Sequence, residues 1–246
     1  MSLSKKGLVL GAILGVALAG CGSEEKKENK KVVKTIMSMD IDSLNPYKMV
    51  SSGTEEIMMN VYEGLVMPDV DGGIIPAVAK DYKISDDGLT YTFTIRDNIK
   101  FHNGNPLDVK DVEFSLRKMS GREGDTPAQA MFANIKDIKI TGDNEVTVEL
   151  NQPDSAFIYS MTEAIVPDEN RDSLDKNPIG TGAFKVASYE KEQKLTLTKN
   201  DDYWGEKAKI DDVEVFVTPN AETAFLKLLS GEINMLPRVD SKRVNE

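Results

Sequence analysis

The residues able to do chemistry are few and scattered. Cys21 is the one cysteine and His102 the one histidine among 246 residues. A single thiol forms no internal disulfide, so the fold cannot lean on one. One imidazole leaves a Ser-His-Asp triad, or a His-rich metal site, short of members. The acidic pairs Glu55/Glu56, Asp86/Asp87 and Asp201/Asp202 are neighbours in sequence, so their side chains need not converge. Caps, turns and solvated surface account for them. Gly180-Thr181-Gly182 could open a nucleotide fingerprint, but the third glycine is missing and a strand pattern follows where a helix is needed. No Walker loop, HExxH, CxxC or GxSxG motif occurs. This inventory predicts a binding protein rather than an enzyme, with no metal ligand set and no cofactor. The net charge of −11 argues against nucleic acid, because phosphate binding needs a basic face.

The elements that must position such a binding surface alternate between strand and helix. Val32–Met39 is β-branched and apolar, and Asp40–Pro46 reads as a strand leaving into a loop. Ser51 or Ser52 can cap a helix with Glu55 and Glu56 in its first turn. Ile57, Met58, Val61, Tyr62 and Leu65 give that helix an apolar face, and Gly64 ends it. The methionines read as core packing. Thr90–Arg96 alternates cleanly as a half-buried strand, and Asp86-Asp87-Gly88 turns a hairpin into it. Asp108–Lys118 is a helix capped by Asp108. A second hairpin turns at Gly142-Asp143-Asn144. Ala128–Ile135 and Phe157–Ile165 read as helical, Ala183–Tyr189, Leu195–Lys199 and Val213–Val217 as strands, and Ala221–Leu229 as a helix closed by Gly231. The pattern predicts an α+β (mixed α/β) fold.

The first thirty residues read as an address. Lys5 and Lys6 precede an uncharged apolar stretch, Gly7–Ala19, the plan of a secretory signal. Thirteen residues fall short of the roughly 20 that cross a bilayer. Leu18-Ala19-Gly20-Cys21 resembles the lipobox of bacterial lipoproteins. That resemblance implies a signal peptide over residues 1–20, cleavage before Cys21 and lipid on its thiol. Several acyl chains anchor firmly where one does not, at roughly 0.8 kcal/mol per buried CH₂. Residues 21–31 would be the lipidated cysteine and a charged tether too polar to fold.

The folded part resembles the family 5 solute-binding proteins, the oligopeptide-, dipeptide- and nickel-binding components of ABC importers. Three blocks carry the resemblance: Asp42–Pro46 with Tyr62-Glu63-Gly64-Leu65; Pro76 to Ser115, including Ser85–Leu89 and Phe101-His102-Asn103-Gly104; and Pro178–Phe184, Asn200–Gly205 and Leu229–Asn234. It implies a type II periplasmic-binding-protein lobe. Residues 32–61 and 178–246 would form the first-lobe core, incomplete here, with 62–177 an inserted subdomain and the second lobe absent. It places Val50, Ser51, Ser52 and Gly53 near the ligand, with Pro127 and Ala128 from the subdomain. For Ser51 and Ser52, helix capping alone is an equal alternative. Tyr203 and Trp204 would pin a loop to a core. Gly180 and Gly182 would serve a close backbone approach or a positive φ.

The implied function is capture of a peptide or small solute for a membrane permease, by a monomer held by lipid on the outer face of the cell membrane or in the periplasmic space. A non-transport peptide receptor, an adhesion lipoprotein and nickel-chelate binding are alternatives. Because the family is about twice as long, the resemblance implies a half clamp with weak affinity of its own.

Overall fold

The computed structural model describes residues 30–122 and 130–239. Cys21, the signal segment, most of the tether, Pro127 and Ala128 lie outside the described residues. Lys30 and Lys31 are already held: Lys30 pairs with Asp212 at 2.8 Å, and the Lys31 amide donates to Asp211 at 2.8 Å.

The fold is mixed α/β. In chain order it runs β1 (Val32–Met37), α1 (Ser52–Met58), β2 (Val66–Pro68), β3 (Ile74–Pro76), β4 (Ala79–Ile84), β5 (Thr90–Ile95), α2 (Val109–Met119), β6 (Ile135–Gly142), β7 (Glu145–Leu150), α3 (Phe157–Ser160), β8 (Phe184–Glu190), β9 (Lys194–Lys199), β10 (Asp212–Val217) and α4 (Ala221–Leu229). One sheet has the order β1-β10-β9-β8, with β1 parallel to β10 and the rest antiparallel. A second, antiparallel sheet has the order β4-β5-β7-β6, and β2 and β3 form a separate hairpin.

Period-two patterning does in the second sheet what a half-buried strand requires. Tyr91, Phe93 and Ile95 point inward from β5, and Val146, Val148 and Leu150 from β7. Tyr91 meets Phe157 edge-on at 5.1 Å between ring centroids. Helix α2 covers this sheet with Val112, Leu116 and Met119. It starts at a capping box: Asp108 accepts from the Lys110 and Asp111 amides, and Asp111 accepts from the Asp108 amide at 3.0 Å. A second core, with Leu195, Leu197, Val215, Met58 and Val61, lies against the first sheet.

Three expected helices differ. Helix α1 stops at Met58 rather than Gly64, α3 stops at Ser160 rather than Ile165, and residues 130–134 form a 3-10 turn. The first two share a cause: the backbone beyond each helix is used for tertiary hydrogen bonds. The carbonyls of Asn60 and Val61 accept from Phe184 and Gly182, those of Glu63 and Gly64 from Ile165 and Val78, and that of Leu65 from Ala77 and Ala79. Residues 60–65 thus form a connector stitched to both sheets.

Close approach to this connector, rather than positive φ, explains Gly180 and Gly182. A Cβ on Gly180 would sit 2.1 Å from the Val61 carbonyl oxygen, and one on Gly182 2.4 Å from that of Asn60. Gly180→Ala is expected to lower stability by about 3 kcal/mol, the upper end for overpacking. Gly73→Ala, with nothing within 4 Å of the added carbon, should change it by under about 0.5 kcal/mol. Denaturant midpoints of the two variants check this, and equal midpoints would refute the close-packing account.

Candidate functional site

The connector carries one charge, Glu63, amid Val61, Tyr62, Leu65 and Val66. Its carboxylate is buried and accepts three side-chain donors: Thr181 Oγ1 at 2.7 Å, Tyr203 Oη at 2.7 Å and Trp204 Nε1 at 2.8 Å. Burial pushes the carboxyl above its ordinary pKa, against those three donors and the Arg96 guanidinium, which favour the ionised form. Arg96 lies over the Trp204 ring at 4.8 Å and donates to the Ala77 carbonyl at 2.6 Å. Tyr203 and Trp204 do pin their loop, and the pin is Glu63.

His102 clamps the same glycine segment from the other side. Nε2 lies 3.0 Å from the Gly182 carbonyl oxygen, and Nδ1 accepts the Gly180 amide at 3.3 Å. These partners require the neutral tautomer protonated on Nε2. Burial lowers the imidazole pKa to about 4, with the Lys185 ammonium adding to the shift and the Gly182 hydrogen bond opposing it.

The loop after β1 is shaped by Asp42. Its Oδ2 accepts the amides of Val50 at 2.8 Å and Ser51 at 3.1 Å, and its own amide donates to Thr54 Oγ1 at 3.3 Å. Burial raises the Asp42 pKa, but the Thr54 hydroxyl and the Val50 and Ser51 amides outweigh it and hold it below the usual value. Ser51 occupies the cap position of α1, yet its side chain makes no capping bond. Val50 is 85% exposed. The four-residue segment Val50–Gly53 therefore lies at the surface, held by backbone amides, with the Ser51 hydroxyl unused by the cap.

Beside it opens a cavity of about 660 Å³. Met49 and Ser52 line it from either side of Val50–Ser51, and Met119 and Phe132 line it as well. Glu55, Glu56, Glu63 and Glu163 supply carboxylates, and no Lys, Arg or His is among the described residues lining it. Helix α1 presents Ser52, Glu55, Glu56 and Met59 to it at i, i+3, i+4 and i+7, one helical face. Asp201 and Asp202 lie elsewhere on the surface, and Asp86 and Asp87 turn the β4–β5 hairpin. Sequence reasoning brought out Val50–Gly53 but missed the roles of Glu63 and of the exposed Met59. A lone carboxylate inside an apolar run was the readable sign of the first. Among the described residues, no group of three or more His, Cys, Asp or Glu could hold a metal ion.

The structure thus sets two sheets, a stitched connector and a cavity beside a surface loop together. The comparisons give the family. Residues 73–246 match the family model described as "Bacterial extracellular solute-binding proteins, family 5 Middle". The chain belongs to the bacterial extracellular solute-binding proteins, family 5. It is 29% identical over 213 residues to the nickel-binding periplasmic protein of Escherichia coli, covering 83% of this chain and 40% of that relative. It is 28% identical over 258 residues to the oligopeptide-binding protein OppA of Bacillus subtilis, covering 92% and 47%. Among solved structures it resembles the ABC transporter-associated periplasmic binding protein DppA of Helicobacter pylori in complex with the peptide STSA. That match has a TM-score of 0.75 and 30% identity, and covers 83% of this chain and 46% of the other. The chain thus spans less than half the length of these relatives. No helix among the described residues is long and apolar enough to cross a membrane.

The single histidine gives a direct measurement. A group held neutral by the fold contributes stability present above its unfolded value, near 6.5, and lost as pH falls through its folded value of about 4. Asp111, pushed up to about 6 mainly by burial, acts oppositely, its contribution being lost as pH rises through that value. The one imidazole Cε1–H resonance is expected to titrate near pH 4. A midpoint near 6.5 would show a solvated ring and dissolve the clamp.

Proposed function

We propose that this chain is the solute-binding lipoprotein of an ABC importer and that it captures peptides at the surface formed by Val50–Gly53 and the adjoining cavity. Pro127 and Ala128 belong to the same proposed surface. Residues 32–61 and 178–246 form the first lobe and 62–177 a subdomain inserted into it. Lipid on Cys21 holds the mature protein at the outer face of the membrane, with a permease as its partner. The observation that carries the reading is the placement of the cavity directly beside the loop that Asp42 orders, in a chain of the solute-binding family.

The mechanism is capture rather than reaction. Backbone groups of an exposed loop meet an extended peptide, and a roomy cavity admits a side chain without demanding one shape. Direct nickel ligation finds less support, since both ring nitrogens of His102 face the Gly180–Gly182 backbone.

Two measurements check the proposal. Cys21→Ser, or globomycin treatment, should move the protein from the membrane fraction to the soluble one, and unchanged attachment would sink the lipid anchor. Peptides titrated into the chain should shift the amide resonances of Val50, Ser51 and Gly53. A peptide that binds and leaves these unmoved would relocate the site, and tight binding would overturn the half-clamp expectation.

A further inference from the structure

We infer that the bound peptide places an uncharged, apolar side chain, of about the size of leucine, methionine or phenylalanine, in the cavity beside α1. The inference rests on the peptide-binding reading and adds the class of residue selected. The cavity has an apolar floor: Met58, Val66, Met119 and Phe132 line it and are buried. Three more thioethers, Met49, Met59 and Met67, line it nearer the surface, and Met59 is well exposed. Thioether side chains are flexible and polarisable, so such walls accept apolar groups of differing outline. The volume of about 660 Å³ lies within the roughly 300–1,000 Å³ of small-ligand sites, whose lining is mostly apolar.

The carboxylates in the lining do not alter this preference, because each is engaged or solvated. Glu63 accepts from Thr181, Tyr203 and Trp204. Glu56 pairs with Arg238 at 3.2 Å, and Glu163 has a partner of its own. Glu55 stands exposed on the rim, where an ion pair counts for little. A lysine head placed inside would shed water with no free counter-charge waiting, and a glutamate would meet like charge. An apolar side chain gains in proportion to the area it buries. Continuity with the loop makes the occupant part of the peptide: Met49 and Ser52 flank Val50–Ser51 and also line the cavity. A peptide lying on the loop that Asp42 orders therefore passes the cavity. Side chains of an extended strand point alternately to its two faces, and one turned toward the protein at this point enters the cavity.

The test is a series of tripeptides differing at one position, Ala-norleucine-Ala, Ala-Ala-Ala, Ala-Lys-Ala and Ala-Glu-Ala, titrated into the full chain and followed by amide shifts. Norleucine and lysine share an unbranched stem, and norleucine ends without charge. The norleucine peptide is expected to bind about tenfold more tightly than the alanine and lysine peptides, and the glutamate peptide no better than alanine. About 0.5 M salt, which screens charge, should leave the norleucine peptide foremost. Met59→Gln, a change at an exposed position, should shrink its advantage. Equal affinity for norleucine and lysine peptides, or a preference for lysine, overturns the inference and leaves the peptide reading standing. Should no peptide bind, the peptide reading falls, and N-acetyl-norleucine amide against N-acetyl-lysine amide decides the cavity alone. Shifts of the methionine methyl resonances of Met49, Met59 and Met67 with the first and not the second support the inference; their absence overturns it.

Discussion

The rest of the structure depends on one buried carboxylate. Glu63 stands on a connector between two cores and gathers donors from residues 181, 203 and 204, more than a hundred positions away. A buried charge is costly unless its lone pairs are filled. Here three donors, one on Oε1 and two on Oε2, fill them. The cost of leaving Thr181, Tyr203 and Trp204 without an acceptor makes the arrangement specific: few other packings of these segments satisfy all four groups. The carboxylate need not add net stability to do this. It selects one way of joining two layers that hydrophobic burial alone would join in several.

The backbone around Glu63 enforces the same choice. Residues 60–65 spend their carbonyls on both sheets rather than on helix continuation, and Gly180 and Gly182 let the connector come within a distance that no Cβ permits. His102 then fixes the glycine segment through both ring nitrogens. Each device is local, yet all converge on the Gly180–Gly182 backbone. The junction between the two sheets is therefore specified by polar groups as well as by packing.

This explains what could be read from the sequence and what could not. The strands β5 and β7 were legible because alternation reports burial on one face, and α2 because Asp108 and its apolar stripe agree. The helix at Ser52 was legible, but its end was not. Val61, Tyr62 and Leu65 continue a helical apolar spacing, and nothing local shows that their carbonyls are wanted elsewhere. The same holds for Thr162–Ile165 after α3. In the candidate site, Val50–Gly53 could be proposed from resemblance. The order that Asp42 imposes on it is an eight-residue contact with no pattern of its own. The cavity is less legible still, because its walls come from α1, the connector, α2 and residues 162–164, and pairing among these is a property of the fold.

The division of labour between junction and groove has a physical consequence. Residues that join the layers, Glu63, Gly180 and Gly182, are buried and His102 half-buried, and they are mutually dependent, so a change at one disturbs the others. Residues that would meet a solute, Val50, Ser52, Glu55, Glu56 and Met59, are exposed or half-exposed on one short helix and its entering loop. Substitution there alters charge and shape of the groove while leaving the junction's hydrogen bonds intact. The buried side chains of the junction and the exposed ones of the helix face are thus separate sets on consecutive stretches of chain, with Met58 and Val61 packed inward where Glu55 and Met59 face out. A lobe built this way can keep its fold while its groove changes sign or size, since only the helix face that points away from the core has to vary.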